Sequence, residues 1–384
     1  MDSEVSFAYE GVSSIERMPT DGSERSPKML SSSQFKFVEE VSDDEAPPRV
    51  VHFKDFDIEP FGYDDLIKLN PRKPLTIPVR LRSAVLGDQC QRIDITGEKL
   101  SADFELESHF STKSYALVKG GWFPPGLTTR TNPTYLLDRC AYNDIRSSCA
   151  SSDRVGPYAD FIEYLQHPQT KINLLPILLE GNQGRKPTDL EVLQQYNEVL
   201  SNITLLLPDA ELCPSGSMAV QAAKNLLRDP FLDTTREQKF LLDVAKFLKS
   251  PVARRRKPEI LDQIKLSASL QGVDRFSFAF LAAVSAVLCS QSRNPAMRIL
   301  KVTPTYSETD TYNALADLTS LKMLCALSAL FPGESPVFCT SDKNLALFWV
   351  GLGLRDFKYA GKELSMTFSV SEELFPGIDR SFFE

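Results

Sequence analysis

Four acidic side chains that follow apolar segments have the clearest capacity for chemistry in this sequence. Asp138 follows "PTYLL", Glu180 follows "INLLPILL", Asp317 lies in "NALADLTSL", and Asp342 follows "SPVFCTS". Carboxylates held close together raise one another's pKa, so a cluster of them is stabilised by a cation that neutralises it. Hard oxygen ligands suit Mg²⁺ or Mn²⁺, which also bind phosphate groups. Such ions activate water and stabilise the leaving oxygen in phosphodiester hydrolysis.

The elements around these acids predict that they meet at one place. The segments "PTYLLDRCAYNDI" and "SPVFCTSD" each begin with an apolar run and lead into a helical pattern, which indicates a strand entering a helix. In a parallel sheet the acids after both runs lie at the carboxyl edge, where open α/β sheets bind ligands. Asp317 is predicted in the first turns of a helix over 313–331 that leads to the second strand. A right-handed crossover starts such a helix near the same edge.

Four neighbouring residues are predicted to assist the acids. The hydroxyl of Thr340 is placed to orient Asp342 or a metal-bound water. Asn313 shares the helix face of Asp317 four residues later, although a role at the start of the helix is favoured over one as a ligand. Arg139 and Lys343 directly follow two of the acids and are predicted either to hold substrate phosphates or to face solvent. The three histidines form no ligand-spaced pair, which disfavours a zinc site or a Ser-His-Asp mechanism.

The series "LLDRCAYNDI", "LLEGN", "NALADLTSLKML" and "VFCTSDKNL" resembles the PIN-like nuclease family over roughly residues 130–356. That family has an Asp after the first strand, a Glu in a following helix, an Asp opening a later helix, and then a strand followed by Thr-x-Asp. The resemblance implies a ribonuclease that depends on Mg²⁺ or Mn²⁺ and acts on RNA. The metal ligands that it implies are Asp138, Glu180, Asp317 and Asp342. About 135 residues separate the second of these acids from the third, which implies a large helical insertion.

The predicted fold class is α/β, a three-layer PIN-like parallel sheet flanked by helices, with a helical insertion and a small N-terminal β-containing unit. Residues 1–48 are predicted to be a disordered acidic leader, because their Ser, Glu, Asp and Pro residues bury little apolar surface. Residues 49–110 form the accessory unit, with strands at "PLTIPVRLR" and "QRIDITG". Residues 111–360 form the PIN-like domain, in which 190–300 are the insertion, and 361–384 are a C-terminal extension.

Charge and composition limit the classes of binding partner that the sequence predicts. The first 60 residues contain 14 acidic and 6 basic residues, whereas the rest contains 37 of each, so the body has no overall basic field. The densest basic run, "ARRRKP" at 253–258, either contacts a phosphate backbone or is a solvated helix terminus, the latter being favoured. The seven scattered cysteines and the absence of a signal sequence predict a cytoplasmic protein with reduced thiols. The apolar segment 276–289 is too short to span a bilayer, so no membrane partner is expected.

The acids also have structural interpretations. Asp138 and Asp342 each precede a helix and can serve as its N-cap. Glu180 competes with Glu163 and Glu191 for the place of the Glu in the PIN-like pattern. The alternative function is a catalytically inactive PIN-like module for binding or assembly, with a protein partner or a second copy of the chain.

Overall fold

The structure is a computed structural model of the 384-residue chain. It describes residues 3–6, 34–39, 49–54, 57–69, 75–86, 99–108, 113–128, 133–150, 162, 165–166, 170–289, 294–360, 363–378 and 382. These residues belong to two compact units. The larger unit takes in the described parts of Met1–Ile15, Gly62–Lys68 and Phe110–Glu384, and the smaller those of Glu16–Phe61 and Leu69–His109.

The strands and helices of both units are numbered in chain order. The strands are β1 (Ser3–Ser6), β2 (Gln34–Glu39), β3 (Arg49–Lys54), β4 (Asp57–Ile58), β5 (Leu75–Leu86), β6 (Lys99–Ser108), β7 (Tyr115–Val118), β8 (Gly121–Phe123), β9 (Pro133–Leu137), β10 (Lys171–Asn173), β11 (Glu211–Leu212), β12 (Ser335–Thr340), β13 (Arg355–Ala360) and β14 (Glu363–Phe368). The α-helices are α1 (Tyr63–Ile67), α2 (Pro125–Thr128), α3 (Arg139–Ala150), α4 (Leu175–Glu180), α5 (Asp189–Leu206), α6 (Gly216–Arg228), α7 (Thr235–Leu248), α8 (Lys257–Gln271), α9 (Phe278–Leu288), α10 (Pro295–Leu300), α11 (Glu308–Leu330) and α12 (Lys343–Leu352).

The smaller unit contains an antiparallel sheet made of β2 to β6. The long strand β5 pairs with β6 along most of its length, and with β3 and β4 at successive positions. The strand predicted in "PLTIPVRLR" is therefore confirmed as part of β5. The strand predicted in "QRIDITG" lies outside the described residues.

The larger unit is built on a mostly parallel sheet with the strand order β11-β10-β9-β12-β7-β8. The first four strands are parallel, and β7 and β8 form an antiparallel hairpin beside β12. Helices pack on this sheet, among them α3, α4, α11 and α12. The predicted α/β class, a largely parallel sheet flanked by helices, is confirmed.

The core of this sheet lies where β9 and β12 pair in parallel. Leu136 stands opposite Phe338 in the register, and neither side chain is accessible to solvent. Trp349 of α12 is also buried, and its indole N–H donates to the carbonyls of Val118 and Gly121 in the β7–β8 hairpin. Trp349 is therefore a packing residue that fixes α12 against the sheet, since a buried indole needs an acceptor.

Residues 190–300 are mainly helical, as predicted, and comprise most of α5 and all of α6 to α10. The segment also contributes β11, so part of it belongs to the central sheet. Every residue of α9 is buried, so the apolar segment that contains it forms an internal helix. Within the described residues, no helix has the length and apolarity to cross a membrane.

The two ends of the chain differ from their predicted states. β1 pairs antiparallel with β14, and β14 pairs with β13, so a small sheet joins residues from both termini in the larger unit. The structure also places β2 within the predicted leader. Composition predicts disorder for 1–48 because it averages over the stretch, whereas backbone pairing needs only short segments. The remaining residues of the leader lie outside the described ranges.

The helix α11 begins earlier than predicted. Ser307 is its N-cap and forms a capping box with Asp310, so the helix starts at Glu308 rather than at residue 313. Asp317 consequently lies ten residues into the helix and not in its first turns. The prediction overlooked a hydroxyl followed three residues later by a carboxylate, which is the usual signature of such a start.

A buried ion pair joins α11 to α7. The ammonium group of Lys322 lies 3.0 and 3.1 Å from the two carboxylate oxygens of Glu237. The two side chains are only 8% and 9% exposed. Removing one partner of such a pair leaves a charge buried without compensation. This contact therefore fixes α11, the helix that carries Asp317, against the mainly helical residues 190–300. We refer to these residues as the helical segment.

We expect Lys322→Met to lower the free energy of unfolding by roughly 3–5 kcal/mol, because the Glu237 carboxylate is then buried alone. Combining it with Glu237→Leu should restore most of the loss, since the pair is replaced by apolar contacts. Urea unfolding at pH 7 measures both effects. The control is Arg228→Met in the exposed Arg228–Asp189 pair, which should cost less than about 1 kcal/mol. Equal losses in Lys322→Met and the control would contradict the assigned role.

Candidate active site

The candidate site lies at the carboxyl ends of β9 and β12, where the strand order reverses. Successive strands β9, β10 and β11 run outward to one side of β9, whereas the next strand in the chain, β12, lies on its other side. In open α/β sheets the crevice at such a reversal is where ligands bind. Asp138 directly follows β9, and Thr340 ends β12 two residues before Asp342. The two strand-end acids thus reach the same crevice.

Asp138 is held in place by both neighbouring elements. Its backbone N–H donates to the carbonyl of Cys339 in β12. Its Oδ1 accepts a 2.6 Å hydrogen bond from the N–H of Ala141 in the first turn of α3. Burial raises the pKa of Asp138 to about 7, with Glu180 and Asp342 raising it further, while the Ala141 N–H and the Thr340 hydroxyl act in the opposite direction. Much of this carboxyl group is therefore protonated near neutral pH when no cation is bound.

Thr340 connects the two strand-end acids. Its side chain is fully buried, and its Oγ accepts a hydrogen bond from the N–H of Asp342 at 3.0 Å. Its hydroxyl also interacts with the carboxylate of Asp138. Asp342 in turn caps α12, where its Oδ1 accepts from the N–H groups of Asn344 and Leu345 at 2.7 and 3.3 Å. Thr340 thus sets the relative position of two carboxylates that the chain brings from distant segments.

Glu180 reaches the site from the end of α4. Residues Leu175 to Leu179 of α4 are buried, and Gly181 ends the helix at a φ of +68° that only glycine adopts without strain. The hydroxyl of Tyr312 on α11 donates to the carbonyls of Leu179 and Glu180, at 3.1 and 3.0 Å. These two contacts fix the end of α4 against α11.

Arg139 orients the Glu180 side chain. Its Nε lies 3.4 Å from Oε1 of Glu180, and its other nitrogens donate to the Ile177 carbonyl at 3.1 Å and to the Asn182 side chain. Burial raises the pKa of Glu180, while Arg139 and then Lys301 lower it. The predicted contact of Arg139 with substrate phosphates stays a prediction, and in the structure its guanidinium group is bound to the end of α4.

The two other acids considered for the place of Glu180 have different positions. Glu191 forms a capping box with Thr188 at the start of α5 and an ion pair with Arg185, with an Nη2–Oε1 distance of 2.6 Å. The hydrogen bond from Arg185 lowers the pKa of Glu191 to about 2. Glu163 lies outside the described residues. Of these three glutamates, Glu180 is therefore the one that the described residues place at the site.

Asp317 completes the group from α11. Burial raises the pKa of this half-buried carboxyl group well above its ordinary value, and the charges of Glu180, Asp342 and Asp138 raise it further. The ammonium group of Lys301, the residue that ends α10, opposes them. Asp317 is therefore within electrostatic range of the other three acids although its helix starts nine residues earlier.

The Cys140 thiol is within electrostatic range of all four acids. Partial enclosure of the sulfur, followed by the negative charges of four acids, raises the pKa of this thiol to about 12. Those acids are Asp138, Asp317, Glu180 and Asp342. Cys140 lies in the first turn of α3, two residues after the first of them. We refer to these four acids as the acid cluster.

The acid cluster has the donor chemistry of a site for a hard divalent cation, but its side chains do not converge on one point. Among the described residues, no three His, Cys, Asp or Glu side chains are close enough together to hold a metal ion. The helix caps use Oδ1 of Asp138 and Oδ1 of Asp342. Each carboxylate has a second oxygen, so capping a helix and binding a cation are compatible. Cation binding here requires rotation of some of the four side chains.

Two predicted assisting residues lie near the cluster, and sequence reasoning missed two others. Asn313 is exposed on α11 beside the loop that contains Gly184. Lys343 is half-buried in the first turn of α12. The roles predicted for them stay predictions. Lys301 and Tyr312 belong to no motif, and their relation to the cluster depends on how α10 and α11 pack.

Comparison with protein-family models, with curated proteins and with solved structures finds no match to this chain. The PIN-like resemblance therefore rests on the sequence motifs quoted above alone.

The pKa of Asp138 predicts a pH-dependent effect of Asp138→Asn on stability in EDTA. The folded-state pKa of about 7 exceeds the ordinary 3.8, so the folded protein binds an additional proton between those values. The parent protein therefore loses stability from this group as pH rises from about 4 to above 7. An asparagine at position 138 can still accept the hydrogen bond from the N–H of Ala141, but it has no charge. We expect the free energy of unfolding of the variant to exceed that of the parent by roughly 1–3 kcal/mol at pH 8. Near pH 4.5 the two values should be equal.

Thermal unfolding across this pH range measures the difference. Asp144→Asn is the control, because this half-buried acid is on the same helix but outside the acid cluster. An Asp138→Asn variant that is less stable than the parent at pH 8 would contradict the burial of an uncompensated carboxylate.

Proposed function

We propose that this protein is a divalent-metal-dependent ribonuclease with a PIN-like fold that hydrolyses RNA phosphodiester bonds at the acid cluster. One observation carries the proposal. Four acids from separate segments lie within electrostatic range of one another at the carboxyl ends of β9 and β12. The desolvation and repulsion of such a group are unfavourable, and a cation that serves catalysis removes much of that cost.

The residues around the cluster have distinct roles in this proposal. Asp138 and Asp342 are the fixed ligands, because helix N–H groups and Thr340 hold their carboxylates. Asp317 is the third ligand, from the rigid helix α11. Glu180 is the adjustable one, since its side chain is 31% exposed and Arg139 holds only one of its oxygens. When bound, Mg²⁺ or Mn²⁺ neutralises these charges, activates water and stabilises the leaving oxygen.

The second candidate function is a PIN-like module that binds or assembles without turnover. The observation that favours it is that no three acids converge on a metal position in the described part of the chain. Asp138 and Asp342 also have complete structural roles as helix caps. A protein partner or a second copy of the chain is then the expected partner. The cytoplasmic location expected from the cysteines stays a prediction under either function.

Cleavage of RNA tests the first candidate directly. Purified protein with Mn²⁺ should cut a mixture of unstructured RNAs, and EDTA should abolish the activity. Asp138→Asn combined with Asp342→Asn should reduce the rate by at least roughly 100-fold, because the cation loses two fixed ligands. Asp144→Asn, outside the cluster, should retain the parent rate. RNA that stays intact, or is cut equally by the parent and the double variant, would reject the nuclease.

Metal binding separates the two candidates without relying on activity. A ligand that binds only the folded state at about 100 times its dissociation constant adds about 2.7 kcal/mol to the free energy of unfolding. We therefore expect Mn²⁺ to raise the melting temperature of the parent and of Asp144→Asn, but not that of the double variant. An equal rise in melting temperature in all three proteins would mean that Mn²⁺ binds outside the acid cluster. No response in the parent would favour the binding module.

A further inference from the structure

A large cavity opens beside Asp342, between the end of the central sheet and the helical segment. Its volume is about 1280 Å³. Asp342 and Asn344 line it on the side of the sheet, whereas residues around the start of α8, the end of α9 and the end of α10 line it on the other. The cavity therefore borders one member of the acid cluster, and much of its wall comes from the helical segment.

The charge of this cavity is strongly positive. Arg254, Arg298 and Lys301 line it, and all three are exposed residues. Asp342 is the one acidic residue among the described lining residues. None of the three basic residues forms an ion pair with a carboxylate of the described residues within 4.0 Å. Arg254 and Arg298 in particular are exposed cations in one cavity with no carboxylate partner among the described residues, which favours an anionic ligand.

A fourth basic residue, Lys257, is already engaged. It also lines the cavity, but its ammonium group donates to the carbonyl of Leu288 at the end of α9, at 2.7 Å. This contact neutralises the negative end of a buried helix. Lys257 therefore has a structural role, whereas no hydrogen bond to a backbone carbonyl of the described residues engages the side chain of Arg254, Arg298 or Lys301.

Lys301 connects the cavity to the acid cluster. It lines the cavity, and its charge lowers the pKa of both Asp317 and Glu180. It ends α10 in the left-handed conformation, with a φ of +49°. A polyanion that follows the basic residues past Lys301 thus arrives at the carboxylates.

The remaining lining distinguishes single strands from duplexes. Val252, Met297 and Val302 contribute apolar surface to the cavity. A duplex presents only its charged backbone to such a wall, whereas a single strand also presents base faces that cover apolar surface. The described lining contains no aromatic side chain, so the stacking platforms of sequence-selective RNA readers are missing there. These features favour a single strand that is held mainly by its phosphates.

We propose that this cavity binds single-stranded RNA through its phosphate backbone and guides the strand to the acid cluster, with little preference for sequence. The choice of RNA as the substrate class rests on the proposed function. The cavity assigns Arg254 from the run at 253–258 to substrate binding, together with Arg298. It also gives the helical segment a function, which is to supply the wall opposite the acids.

The test measures binding without cleavage. The probe is a fluorescein-labelled 12-nucleotide 2′-O-methyl oligouridylate, titrated by fluorescence anisotropy in EDTA at several KCl concentrations. We expect Arg254→Gln/Arg298→Gln to bind roughly tenfold more weakly at 0.1 M KCl. The slope of log K against log salt should fall in magnitude by about 1.4, since each lost phosphate contact on a single strand removes about 0.7.

The matched control is Arg255→Gln/Lys239→Gln, which removes the same charge from exposed residues that do not line the cavity. Melting temperatures of both double variants establish that they are folded. Equal weakening in the two double variants would overturn the proposal, because the effect would then reflect net charge alone. Tighter binding of a duplex or of single-stranded DNA of the same length would overturn it as well.

The two proposals fail in different ways. If Arg254→Gln/Arg298→Gln binds and cleaves RNA like the parent, the proposal that the cavity binds RNA is wrong and the proposed nuclease activity is retained. If the variant loses RNA binding while the parent does not cut RNA in the presence of Mn²⁺, the cavity is retained as an RNA-binding site and the proposed nuclease activity is wrong.

Discussion

The structure depends on the burial of like charges at the carboxyl ends of two adjacent parallel strands. Four carboxyl groups share this place, and burial raises the pKa of Asp138, Glu180 and Asp317. Left alone, such a group favours protonation or local opening. The protein compensates with N–H groups at two helix starts, with the guanidinium group of Arg139 and with the ammonium group of Lys301. A cation would supply the compensation that these groups provide only in part.

The helical segment is part of this compensation and not an appendage. It delivers Lys301 from the end of α10, and the buried pair between Glu237 of α7 and Lys322 fixes the helix that carries Asp317. The fully buried helix α9 anchors the segment. One element thus stabilises the acids and forms the basic wall of the adjacent cavity.

The parts of the fold that follow from local pattern were predictable. β9 and β12 are apolar runs followed at once by acids that cap helices, and α4 ends at a glycine, so position and type followed from propensity and capping. Predictions failed where pairing partners are distant in the chain. β1 exists because β14 offers it hydrogen bonds, and no composition average contains that information. The early start of α11 was a local signal that was overlooked, since Ser307 and Asp310 form an ordinary capping box.

The sequence by itself determined which residues carry charge at strand and helix ends, because backbone periodicity and capping depend on neighbours a few positions away. It therefore placed Asp138, Glu180 and Asp342 at the ends of strands and helices, whereas Asp317, predicted near a helix start, lies ten residues into α11. Only the tertiary structure decided that Arg139 binds Glu180, that the charge of Lys301 acts on Asp317 and that Arg254 and Arg298 share a cavity with Asp342. Those relations join segments far apart in the chain. They depend on how helices pack, and helix packing is set by the shape of many side chains at once and not by the pattern of any one segment.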